Sequence, residues 1–157
     1  MSDILGPAVA LMIWTMVMWA WMYATRIPAM QKAGIEGADL DANNTQTLLD
    51  QKLPASVQRK AHNYNHLHEQ PTVFYAVVIV LALIEQGDGM NAFLAWIYVG
   101  LRVIHSLVQA TANKVMVRFA LFALSSVVLI ALIVKAAMVV FGGDPGVPVD
   151  VIDPSVA

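Results

Sequence analysis

The stretch "ILGPAVALMIWTMVMWAWMYAT", residues 4–25, carries no charge between Asp3 and Arg26. At 1.5 Å per residue a helix of this length covers roughly 30 Å, the thickness of a bilayer's hydrocarbon core. It therefore predicts a membrane-spanning helix. A cleaved signal peptide is the competing reading. The residues before the run are acidic rather than basic and no small-residue cleavage pattern follows it, so the helix is expected to be retained. Pro7 falls in the first turn, where a missing N–H costs nothing, and Trp14, Trp19, Trp21 and Tyr23 weight the later half toward an interface.

Working outward, the rest of the chain repeats the theme. It is 59% hydrophobic and 13% charged, where soluble domains average about 25% charged residues. "PTVFYAVVIVLALI", 71–84, is short for a span by itself, so its helix is expected to begin upstream, with Ser56 as N-cap after Pro54. "AFLAWIYVGLRVIHSLVQATAN", 92–113, and "KVMVRFALFALSSVVLIALIVKAAMVVF", 114–141, supply a third and a fourth span. The reading is an all-α integral membrane four-helix bundle in one domain, residues 1–141, with helices over about 4–29, 56–86, 90–112 and 114–141. The polar segment 26–60 reads as a loop and 142–157 as an irregular, acidic tail.

The same composition excludes function classes. The net charge of −2 and the lack of a basic run argue against nucleic acid as a partner. Without a single cysteine there is no disulfide, no cysteine-ligated zinc and no protein thiol nucleophile, so any thiol chemistry needs a thiol brought by a ligand. Arg26, Lys32, Lys52, Arg59 and Lys60 flank or occupy the first connection, and Lys114 and Arg118 the third. The positive-inside rule puts those connections in the cytoplasm and both termini on the opposite side.

Ionisable residues inside spans are costly and by default point to function. Arg102, His105 and Gln109 are spaced i, i+3, i+7 and share a helix face. An antiparallel pairing about Gly87 sets Glu69 level with Ser106 and Asn65 with Ala110, which predicts a Glu69–Arg102 ion pair with His105 beside it. Arg26, Asn113 and Arg118 arrive at the same depth. The plainer readings stand beside this one: the ion pair only pins two helices, Arg118 snorkels, and His105 is a packing histidine. In "HNYNHLHEQP", 62–71, His62, His66 and Glu69 are spaced i, i+4, i+7, which permits a metal. No general-base Glu follows His62 and Glu69 has a competing partner, so solvated interfacial histidines are the expectation and no metal site is assigned.

"RKAHNYNHLHEQPTVFY" at the second span and "LRVIHSLVQATANKVMVRF" across the third and fourth resemble the MAPEG family, membrane-associated proteins in eicosanoid and glutathione metabolism. The similarity runs from about Ile4 to Phe141 and is nearest the family's bacterial type, which implies a bacterial inner membrane. The resemblance implies a left-handed four-helix bundle, a homotrimer, and glutathione held between subunits at the cytoplasmic side. Arg118 matches the arginine that stabilises the glutathione thiolate for attack on a lipophilic electrophile or peroxide. Arg26, Asn65, Glu69, Arg102 and His105 match other ligand-binding positions, and Arg59, Gln109 and Asn113 lie close enough to join them. Phe119, Phe122 and Gln109 stand where family enzymes carry hydroxyls near the thiol. Two functions follow: a glutathione-dependent transferase or peroxidase acting on lipophilic small molecules from the bilayer, or a non-catalytic membrane trimer that binds lipid or a membrane-protein partner.

Overall fold

The computed structural model describes residues 2–41 and 43–142; all but the first residue of the expected tail, 142–157, lies outside the described residues. Six α-helices follow one another: α1 Leu5–Lys32, α2 Thr45–Lys52, α3 Ala55–His66, α4 Gln70–Leu83, α5 Met90–Ala110 and α6 Val115–Gly142. A 3-10 turn, Gly37–Asp39, precedes α2. Taking α3 and α4 as one span, Ala55–Leu83, four helical segments are long and apolar enough to cross a membrane. Among the described residues there is no strand. This suits a bilayer, where a helix satisfies its own backbone groups and an open sheet edge does not.

The second span differs from the single helix expected over 56–86. It breaks at Leu67–Glu69, where Glu69 takes φ −88°, ψ −100° just before Gln70 and Pro71. Proline has no N–H to bond the carbonyl four residues back, its ring collides with that carbonyl, and the residue before it avoids the α region. The helix restarts with Pro71 in its first turn, where these defects do no harm. The start differs too: α3 begins at Ala55 after Pro54, and Ser56 makes no cap bond. The first connection is more than a loop. Ile35, Leu49 and Leu53 are buried in a small second core against Ala29, Met30 and Val57.

Inward faces follow helical periodicity. On α5 the buried positions are Asn91, Ala92, Ala95, Tyr98, Val99, Arg102, His105, Ser106, Gln109 and Ala110, an unbroken stripe. Phe74 of α4 stacks on Tyr98 of α5 at 4.4 Å between ring centroids, near the bundle's middle. The outer faces stay apolar: Ile13, Val127 and Ile130 are more than half exposed, as lipid-facing residues are.

The connections explain how the ends are fixed. Ile4 N donates to Gly87 O at 2.8 Å and Asp3 N to Asp88 Oδ1 at 2.7 Å, tying the start of α1 to the α4–α5 turn. A Cβ on Gly87 would collide with Ser2 and Ile4, so this approach requires glycine. At the other end Asn113 adopts φ 51° and its N–H reaches Val108 O at 2.7 Å, closing α5 with the residue type that tolerates the left-handed region best after glycine.

Candidate functional site

The polar residues gather where α3, α5 and α6 meet, at the end of the bundle that carries the α5–α6 connection. Arg102, with no exposed surface, sends Nη2 to the backbone carbonyl of His66 at 3.1 Å. That carbonyl belongs to the last turn of α3, where the helix break leaves it only a long backbone bond from Glu69 N, 3.4 Å. Arg102 also lies 5.7 Å from the Phe122 ring centroid of α6, a cation–π distance. The His66 and His105 rings stand 5.2 Å apart, and His66 lies 5.6 Å from Phe122.

Over this group opens a cavity of about 250 Å³ lined by His66, His105, Val115, Arg118, Phe119 and Phe122. Arg118 is held by its own connection: Nη1 donates to Asn113 Oδ1 at 2.7 Å, so the residue that ends α5 also aims the guanidinium. Arg118 Nε, Arg102 Nε and Arg102 Nη1 are buried without a partner. Among the described residues neither arginine has a carboxylate within 4.0 Å. One cation, Arg118, therefore stands at the cavity, and a second, Arg102, is buried behind its wall against His66 and Phe122. Phe119 and Phe122 give the same cavity an apolar wall.

Of the residues singled out by sequence, the structure brings Arg102, His105, Asn113 and Arg118 together. Gln109 is buried one turn further along α5, with Oε1 unpartnered. Arg59 serves a neighbouring purpose, donating from Nη1 to Thr111 O at 3.0 Å at the C-terminus of α5. Arg26 is half-buried on α1 and makes no hydrogen bond or ion pair among the described residues. The Glu69–Arg102 ion pair is corrected. Glu69 is exposed and accepts from His66 Nδ1 at 2.6 Å, while Arg102 takes the His66 carbonyl instead. Asn65 points outward, and Asn63 is the buried asparagine, donating to Ser106 Oγ.

These pairs also revise the register. Asn63, not Glu69, is level with Ser106, a displacement of about six residues or roughly 9 Å along the axis. The break at Leu67–Glu69 and the turn between Leu83 and Met90 absorb the difference. His62 and His66 do not share a site: His62 Nε2 lies 3.7 Å from Asp50 Oδ1 of α2. His66, expected as a solvated interfacial histidine, and Asn63, not singled out by the sequence reading, are the added contributors. Their signal was available: stepping back from Leu81, Val78, Phe74, Pro71 and Leu67, all buried, the stripe lands on Asn63.

Four membrane-crossing segments around a buried polar layer, with an arginine-lined cavity at one end, define a helical integral membrane protein. The chain belongs to the MAPEG family, whose pattern matches residues 4–138. Comparisons with curated proteins and with solved structures gave no match.

Proposed function

We propose that this protein is a glutathione-dependent transferase or peroxidase whose Arg118 stabilises the glutathione thiolate. The observation that carries the reading is the Arg118 guanidinium at a cavity, its Nε unpartnered, with Arg102 buried behind the cavity wall and no carboxylate within 4.0 Å of either among the described residues. A cation beside a thiol favours its thiolate, which is the nucleophile. The thiolate attacks the electrophilic carbon of a lipophilic substrate, a carbon–sulfur bond forms and the leaving group departs with the electron pair. Val115 and Phe119, 69% and 65% exposed, form an apolar rim by which a bilayer-dissolved substrate reaches the sulfur.

The cavity's size bears on assembly. At about 250 Å³ it is smaller than the 300–1,000 Å³ that encloses a whole small ligand, so it suits the thiol end of glutathione. The rest of the tripeptide then lies on a neighbouring subunit of a homotrimer, where Arg26, Asn65 and Glu69, which do not line this cavity, contribute. The membrane in this reading is a bacterial inner membrane, with the first and third connections in the cytoplasm beside the glutathione pool.

One observation favours the second reading, a non-catalytic trimer that binds lipid or a membrane-protein partner. No hydroxyl side chain lines the cavity at Arg118, so a thiolate there rests on charge without a hydroxyl donor. Titration calorimetry of detergent-purified protein with glutathione, paired with conjugation of a generic aromatic electrophile, separates the two. Heat of binding with turnover, both lost in Arg118→Ala, is the expected result. Binding without turnover supports the second reading, and neither signal sinks the enzyme.

A further inference from the structure

A second cavity lies elsewhere, at the corner formed by the end of α1, the C-terminus of α2 and the start of α3. It measures about 490 Å³ and is lined by Thr25, Pro28, Ala29, Lys32, Lys52 and Val57, among others. Its walls are braced. Gln58 Nε2 donates to the carbonyls of Asp50 and Leu53 at 2.6 Å each, stapling α2 to α3. The buried cluster of Ile35, Leu49 and Leu53 packs against Ala29 and Val57 from behind. The cavity is thus preformed rather than a gap between loose loops.

Its chemistry is divided. Pro28, Ala29 and Val57 give an apolar floor, while Lys32 and Lys52 carry ammonium groups with no carboxylate within 4.0 Å among the described residues. The lining face of α1 continues from Ala24 past Trp21 onto Val17, which is 46% exposed on the membrane span itself. The level is that of the bilayer interface: Trp19 and Tyr23 pair edge-on at 5.1 Å, and the Lys60 ammonium sits 5.2 Å over the Trp21 ring. A ligand that satisfies both halves needs a negative headgroup at the lysines and hydrocarbon running down α1. A free phosphate fits the lysines and leaves the floor bare.

We infer that this corner is a binding site for the headgroup of an anionic phospholipid, held by Lys32 and Lys52 with its acyl chains along α1. The site is separate from the Arg118 cavity and does not depend on the glutathione reading. A lysine near a lipid surface contributes about fivefold to binding of an anionic lipid, so the two together contribute roughly thirtyfold.

Native mass spectrometry of the full chain in detergent, equilibrated with equal amounts of phosphatidylglycerol and phosphatidylcholine, reads the ratio of bound lipids. The ratio is expected to favour phosphatidylglycerol and to fall roughly thirtyfold in Lys32→Ala/Lys52→Ala. Ala24→Trp, which fills the cavity and keeps both charges, should lower it as well. Lys114→Ala, an exposed basic residue beside the third connection, should leave it unchanged. An unchanged ratio in the double variant, or an equal fall in Lys114→Ala, overturns the site. Displacement of the lipid by inorganic phosphate at matched concentration overturns the lipid as its occupant.

Discussion

Asn63 and Asn65 differ by two positions and by everything that matters for the bundle. Asn63 is fully buried and donates to Ser106 Oγ, whereas Asn65 is exposed. Interhelical hydrogen bonds between side chains in membranes average about 0.6 kcal/mol, with a maximum near 1.7, because the unfolded chain in lipid also finds partners. A double-mutant cycle of Asn63→Ala and Ser106→Ala, read by unfolding in detergent, should give a coupling in that range. Asn65→Ala should change stability by less than about 0.5 kcal/mol. A larger effect at Asn65 than at Asn63 would show that the register is wrong. The polar face of α5 was legible from spacing alone because Arg102, His105 and Gln109 continue an unbroken buried stripe. Pairing about Gly87 points to the wrong asparagine because the break at Leu67–Glu69 shifts the register, whereas the apolar stripe of α4 leads to Asn63.

At the scale of elements, the break between α3 and α4 organises the site. It frees the His66 carbonyl for Arg102 and turns the His66 ring toward His105 and Phe122. Pro71 causes it and is visible in the sequence; what periodicity could not supply is that the chain uses the defect instead of straightening around it. Pro71→Ala removes the steric reason for the break. Circular dichroism should then show a gain in helicity as residues 67–69 join the helix, and glutathione affinity should fall because His66 moves. An unchanged spectrum with unchanged affinity would mean that tertiary contacts hold the break. The turn between α4 and α5 offers a second test. Gly87→Val drives a side chain into Ser2 and Ile4, an overpacking that costs about 1–3 kcal/mol in unfolding experiments. The small core of Ile35, Leu49 and Leu53 was hidden in a segment whose average is polar, since Leu49 and Leu53 make a single helical step and Ile35 lies 14 residues before Leu49.

For the whole molecule, the four spans were legible because hydrocarbon thickness sets a length that composition must meet, and the family pattern covers the same residues, 4–138. The site was legible only as a set of residue types. Which of them meet depends on the break and on the α5–α6 connection, where Asn113 both ends a helix and holds Arg118. The molecule so built carries an imbalance. Arg102 is buried with Nε and Nη1 unpartnered, Arg118 Nε is likewise unpartnered, and among the described residues no carboxylate lies within 4.0 Å of either. An uncompensated buried cation destabilises a fold, so an anion that pairs with it should stabilise the folded state by linkage. Glutathione at a hundred times its Kd is expected to contribute about 2.7 kcal/mol. For a chain of this size that is a rise in Tm of roughly 5–10 °C, followed by tryptophan fluorescence in detergent. Arg118→Ala should abolish the rise, and Arg102→Met should reduce it while leaving the spans inserted. A wild-type protein whose Tm ignores glutathione, or an Arg118→Ala variant that still responds in full, would remove the thiolate from this cavity.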